Sequence, residues 1–218
     1  MIFAKHSIFH RFIFNFYIDR KLKSFFNNFY LTCHFTIPST ENSILVLPNH
    51  FSWWDGFLVD FLHRIFFPDY KIFMMVLKDT LEKFWFFKYL GTYSINPAKP
   101  KEVLESLRYT EKILAQKKNF VVIFPQGNLE PYSVDKVEFK KGLTQLIDKA
   151  ESFFYVQLLG LKIQFENEMK PNVYCNPYEI RNSHNYKDNL AKLKIDFVDN
   201  LKILEEKSLN REAVLKIF

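Results

Sequence analysis

The stretch Ser43-Ile44-Leu45-Val46-Leu47-Pro48-Asn49-His50-Phe51-Ser52-Trp53-Trp54-Asp55 decides the architecture. A short apolar run with polar turn formers before it and Pro48 after it reads as a strand buried on both faces. Asn49-His50 opens a turn, and a helix is expected to begin near Trp53. The same alternation continues outward. Strands are expected at 71–77, 92–95, 119–124 and 153–159, and helices over 79–89, 100–118, 139–150 and 187–207. Pro100 suits a first helical turn, and Glu102 and Lys117 sit at the helix ends that favour their charges. Strands alternating with helices predict an α/β fold, a single domain with a central, mostly buried sheet flanked by helices.

With 218 residues the chain is long enough for one full core. Residues 1–35 are expected to form an N-terminal amphipathic helical region and 36–218 the α/β domain. In the first region Phe9, Phe12, Ile13, Phe16 and Tyr17 recur at helical spacing among Lys5, His10, Arg11, Arg20 and Lys21. An aromatic face with basic flanks suits a helix lying in a membrane interface. The 26 Phe and 11 Tyr exceed what one core needs, and the net charge of +6 favours an anionic partner. The basic residues are scattered and no recognition fold is legible, so nucleic acid is not the expected partner. No apolar stretch is long enough to span a bilayer, and His10-Arg11 interrupts any signal-peptide core. Cys33 and Cys175 have neither disulfide-framework nor metal-ligand spacing, and no metal is expected.

Two turns leave the ends of buried strands carrying polar residues: Asn49 to Asp55, and Phe124-Pro125-Gln126-Gly127-Asn128. In open α/β sheets that edge binds ligands. On an ideal helix His50 and Asp55 would stand about 140° apart and could not touch. A strand-to-helix turn lets the histidine fold back onto the carboxylate. Ser52 is placed to cap the helix. A His–Asp pair has a definite use: the carboxylate fixes the imidazole tautomer, and the other ring nitrogen removes a proton from a hydroxyl. Ser52 lacks the glycines of a nucleophile elbow, so direct transfer without a covalent intermediate is expected.

Asn49-His50 with Asp55 five residues after the histidine resembles the NHxxxxD motif of the glycerolipid acyltransferases of the 1-acylglycerol-3-phosphate acyltransferase type. Phe124-Pro125-Gln126-Gly127 resembles that family's FPEG motif. Phe139-Lys140-Lys141-Gly142 and Gly91 to Asn96 resemble two further stretches, so the likeness spans residues 43–160. It implies an α/β domain with a helical membrane-docking element, peripheral on the cytoplasmic face of a membrane. It implies transfer of a fatty acyl group from acyl-CoA or acyl-carrier protein, with no bound cofactor, to a hydroxyl of a lysolipid or glycerolipid-like acceptor. His50 would be the base and Asp55 its partner. Asn49, Ser52, Phe124, Pro125, Gln126, Gly127 and Asn128 would shape the substrate site, and Lys140 and Lys141 would supply charge.

Three departures bear on the acceptor. Where the family has Asp-Arg this chain has Asn96-Pro97, the FPEG glutamate is Gln126, and the arginine two residues after its glycine is Leu129. The resemblance assigns those arginines to the acceptor phosphate, a task their bidentate fork suits. The expected acceptor therefore lacks a free phosphate monoester or is held differently. The alternatives are a non-catalytic relative that binds lipid or carrier protein, and a thioesterase using water.

Overall fold

The structure, a computed structural model, describes residues 1–38, 40–134 and 137–218; Ser39, Asp135 and Lys136 lie outside the described residues. Its elements are, in chain order, α1 (Ile8–Phe25), β1 (Phe29–Leu31), β2 (Ile44–Pro48), α2 (Asp55–Phe66), β3 (Lys71–Leu77), α3 (Lys78–Lys83), a 3-10 turn (Trp85–Tyr89) and β4 (Thr92–Ile95). They continue with α4 (Pro100–Leu114), β5 (Asn119–Val122), α5 (Lys141–Asp148), β6 (Tyr155–Gln164), β7 (Asn172–Pro177), β8 (Arg181–Asn182), α6 (Leu190–Leu209) and β9 (Leu215–Lys216).

The strands make one sheet in the order β4-β3-β5-β2-β6-β7-β1-β9, with β8 against β6. From β4 to β6 every pairing is parallel. Beyond β6 the sheet is mixed, with β7 antiparallel to β6 and parallel to β1. Strand β2 shows the layering residue by residue. Ile44 and Val46 pack with Leu58, Leu62 and Leu22 of α2 and α1, and Leu45 and Leu47 pack with Leu107, Leu146 and Leu201 of α4, α5 and α6. Side chains alternate across a strand, so a run apolar at every position needs an apolar layer on both faces.

The order of connections creates the crevice. From β2 the chain runs through α2 to β3, on one side; from β5 it runs through α5 to β6, on the other. Neighbouring parallel strands whose chains leave in opposite directions open a gap at their carboxyl ends. His50 follows β2 there, and Phe124 follows β5.

Several expectations shift. The helix expected over 79–89 is broken at Phe84 into α3 and the 3-10 turn, and the strand expected at 153–159 is β6, which runs on to Gln164. Residues 29–31, read as part of the helical N-terminal region, are a strand buried in the sheet against Val173 to Cys175. Helix α4 stops at Leu114 and not at 118: Lys117 already bridges Asn42, and Lys118 takes a left-handed backbone (φ 54) just before β5. The helix expected near Trp53 begins at Asp55, capped by Trp54, so Ser52 is not its cap.

Helix α1 is apolar on two opposite faces. Ile18 and Leu22 are buried against α2 and the sheet, whereas Ile8, Phe9, Phe12, Ile13, Phe16 and Tyr17 are each more than half exposed. Ion pairs fasten it: Arg11 to Asp60 of α2, and Asp19 to Arg64, which also reaches Asp60. Among the described residues no helix is long and apolar enough to cross a membrane.

Candidate active site

His50 Nδ1 lies 2.9 Å from Asp55 Oδ2. The strand-to-helix turn makes this contact. The same oxygen accepts the backbone N–H groups of Phe51 and Ser52, both at 2.8 Å, so the carboxylate gathers the turn around itself. Ser52 Oγ accepts the N–H of Trp54 at 3.1 Å and tightens it further. Asp55 is fully buried while the His50 side chain is 23% exposed, so the carboxylate is sealed in and the imidazole stays open to the cavity. Burial pushes the Asp55 carboxyl above its ordinary range, and the bonds from His50, Ser52 and Phe51 pull it back. Asp55 Oδ1 has no partner. With Nδ1–H donated to the carboxylate, Nε2 carries the lone pair of a base.

The second turn braces the first. Phe124 stacks on the His50 ring, with centroids 4.1 Å apart. Gln126, buried, accepts the His50 backbone N–H at 2.7 Å. Pro125 C=O accepts the N–H of Lys140 at 2.9 Å. Gly127 sits at φ 71, under the Lys140 stem.

His50 faces a cavity of about 550 Å³. Its wall draws on both core layers. One arm lies on the α1–α2 side, between Phe14, Phe57, Ile72, Met74, Phe87 and Leu90, with Asp60 at its wall. The other lies on the α4–α5 side, among Ile95, Val103, Leu107, Gly142 and Leu143. The two meet at the strand tips, at His50 and Phe124.

The expected site residues fall into three groups. His50, Phe124, Pro125, Gly127, Asn128 and Lys140 line the cavity. Asn49, Ser52, Asp55 and Gln126 are off that wall and hold backbone around it: Gln126 that of His50, Asp55 and Ser52 that of the turn after it, and Asn49 that of Leu161 in the sheet. Lys141 is exposed and does not line the cavity. Lys99 pairs with Glu102 at 3.4 Å, which leaves Lys140 as the lysine or arginine on the wall among the described residues. Pro97 and Leu129, at the two positions where the resemblance has arginine, also line it. The arm residues Phe14, Met74, Phe87 and Leu107 were not singled out beforehand; in sequence they read as ordinary core. Among the described residues no group of three His, Cys, Asp or Glu could hold a metal ion.

The profile of the Acyltransferase family matches residues 30–163, the span that holds both turns. No curated protein matches the sequence. The crystal structure of the 1-acyl-sn-glycerophosphate acyltransferase PlsC from Thermotoga maritima is similar in fold, with a TM-score of 0.59 at 17% identity over 88% of this chain and 76% of that one. A family match across more than half of the chain, containing the His–Asp turn and its brace, places this protein in the Acyltransferase family.

Proposed function

We propose that the protein moves a fatty acyl group from an acyl thioester to a hydroxyl of a lysolipid or glycerolipid-like acceptor. One observation carries the reading: a histidine whose Nδ1 is held by a buried carboxylate lines an apolar cavity of about 550 Å³. Nε2 removes the proton of the acceptor hydroxyl as its oxygen attacks the thioester carbonyl. The tetrahedral intermediate collapses, the C–S bond breaks, and the imidazolium returns the proton to the thiolate. Asp55 stabilises the imidazolium between the two transfers. No covalent enzyme intermediate is needed, and Ser52, off the wall, is not the nucleophile.

The thioester lies across the strand tips, its hydrocarbon in the α1–α2 arm and its pantetheine along the α4–α5 arm. One feature supports this placement. The exposed apolar face of α1, with Arg20 stacked on Phe16 and Lys21 over Tyr17, suits the interface of an anionic membrane. A water-soluble donor, acyl-CoA or acyl-carrier protein, then arrives from the other layer. The protein is accordingly proposed to be peripheral, on the cytoplasmic face of a membrane. PlsC acts on 1-acyl-sn-glycerophosphate. The acceptor proposed here is of the same lysolipid class but without a free phosphate monoester, since Pro97 and Leu129 offer no fork for one.

The test is acyl transfer from labelled palmitoyl-CoA, or from the acyl-carrier thioester, into a total lipid extract, wild type beside His50→Ala. A labelled lipid made by the wild type alone supports the reading and identifies the acceptor. Equal release of free fatty acid without acceptor points to a thioesterase. No product with either donor, from protein that still binds vesicles, rejects catalysis in favour of a lipid-binding role.

A further inference from the structure

The loop after β5 and the turn after β2 are joined by a closed ring of three hydrogen bonds. His50 N–H donates to Gln126 Oε1 at 2.7 Å, Gln126 Nε2 donates to Glu130 Oε2 at 2.9 Å, and Glu130 N–H donates back to the His50 carbonyl at 3.0 Å. The central amide is buried.

A carboxamide has a donor end and an acceptor end of nearly equal shape. Only one orientation serves His50. Turned over, Gln126 would set its NH2 group against the His50 N–H, donor against donor, and leave a backbone N–H unpaired next to the base. Something must choose the orientation. The carboxylate of Glu130 is an acceptor only, so it takes the NH2 end and directs the oxygen to His50.

We propose that Glu130 is a positioning residue for His50, acting through Gln126. This rests on the acyl-transfer reading of the site. It also accounts for the amide at position 126, where the family resemblance has glutamate. A carboxylate at 126 could accept from His50 N–H only while facing the Glu130 carboxylate across the same contact, and the repulsion of two like charges there drives it off the His50 N–H. In this chain the acid stands four residues later, and position 126 carries the side chain that complements it.

The experiment compares wild type with Glu130→Leu, Gln126→Glu and the exchanged pair Gln126→Glu with Glu130→Gln. Two quantities are read near neutral pH: kcat with the palmitoyl donor and lipid extract, and hydrogen exchange of the His50 backbone amide by NMR. In the exchanged pair the carboxylate at position 126 would accept from His50 and the amide at position 130 would donate to that carboxylate, so the ring closes again. Glu130→Leu and Gln126→Glu are expected to lose about tenfold to a hundredfold in kcat, with little change in donor KM, as for a misplaced base. Both should lose protection at the His50 amide. The exchanged pair should recover both. Wild-type kcat and protection in Glu130→Leu would overturn the proposal, as would an exchanged pair no better than Gln126→Glu alone. A wild type without turnover would sink the acyl-transfer reading instead, and the amide exchange would still decide whether Glu130 orients Gln126.

Discussion

The side-chain amide of Asn49 pairs with both backbone groups of Leu161: Oδ1 accepts the N–H at 2.7 Å, and Nδ2 donates to the carbonyl at 2.9 Å. Parallel pairing between β2 and β6 ends at Pro48 and Leu159, and the amide continues it one step by means of a side chain. The residue before His50 is thereby locked to the sheet by its side chain, beside the longer bond from its own N–H to the Leu159 carbonyl at 3.4 Å. Asn49→Ala leaves two buried groups of Leu161 without partners, and the expected loss is about 1–3 kcal/mol in urea unfolding. Asn49→Asp is expected to be no better near neutral pH, because its second oxygen faces a carbonyl. Both should lower kcat through His50. A variant of wild-type stability would show that Leu161 finds water or another partner.

Gly127 is glycine for two separable reasons. Its φ of 71 is left-handed, and a Cβ there would stand 2.8 Å from Lys140 Cγ. The backbone conformation alone costs a residue with a side chain about 1–2 kcal/mol. The contact adds to this and displaces Lys140 from the cavity wall. Gly127→Ala is expected to unfold at lower urea than wild type. Adding Lys140→Ala should return the contact's share and leave the backbone share. If the double variant is as weak as the sum of the two singles, Lys140 was never the obstacle.

The two arms of the cavity predict two different kinetic faults. Met74 lies on the α1–α2 side, and Met74→Trp shortens the proposed hydrocarbon arm. It should shift selectivity toward shorter acyl donors. Gly142 lies in the other arm, and a Cβ there meets only Leu107, at ordinary contact of 3.6 Å and beyond, so Gly142→Leu is a substitution that carries its side chain toward the arm. It should raise donor KM and weaken binding of free coenzyme A, without changing chain-length selectivity. A rise in acceptor KM alone would assign the α4–α5 arm to the acceptor.

Much of this was legible in sequence, for identifiable reasons. Strands β2 and β5 announce themselves because each is apolar at consecutive positions and ends at a proline or a polar turn. The His50–Asp55 contact follows from the turn between strand and helix, which removes the angular separation a helix would impose. Strand β1 escaped notice because its place depends on pairing with Val173 to Cys175, far along the chain, while Phe29 locally continues an aromatic helix pattern. Glu130 was invisible for a related reason. Its role exists only through Gln126, and an amide's orientation is a property of its neighbours. The cavity walls were hidden because a phenylalanine beside a hydrocarbon chain reads the same as one in a core.

A last prediction concerns stability, at a histidine outside the chemistry. His63 of α2 is buried; its Nε2–H donates to the Tyr70 carbonyl at 2.7 Å, and Nδ1 has no partner. Burial lowers its pKa from 6.5 to about 4, helped by Arg11 and Arg64 and opposed by Asp60 and the Tyr70 carbonyl. Above pH 6.5 the ring is neutral in both folded and unfolded chains, so its contribution is fully present. Between 6.5 and about 4 the unfolded chain takes up a proton that the folded one refuses, and stability falls by about 1.4 kcal/mol per pH unit for one such group. His63→Gln keeps a donor for Tyr70 and cannot titrate. Urea unfolding followed from about pH 7.5 down to 5, above most carboxylate titration, should show a shallower decline in the variant than in the wild type. His6, also lowered to about 4 but on a more open site, leaves a smaller slope behind. Parallel declines in the two proteins would mean that His63 takes its proton in the folded state, and that the space beside Nδ1 admits water.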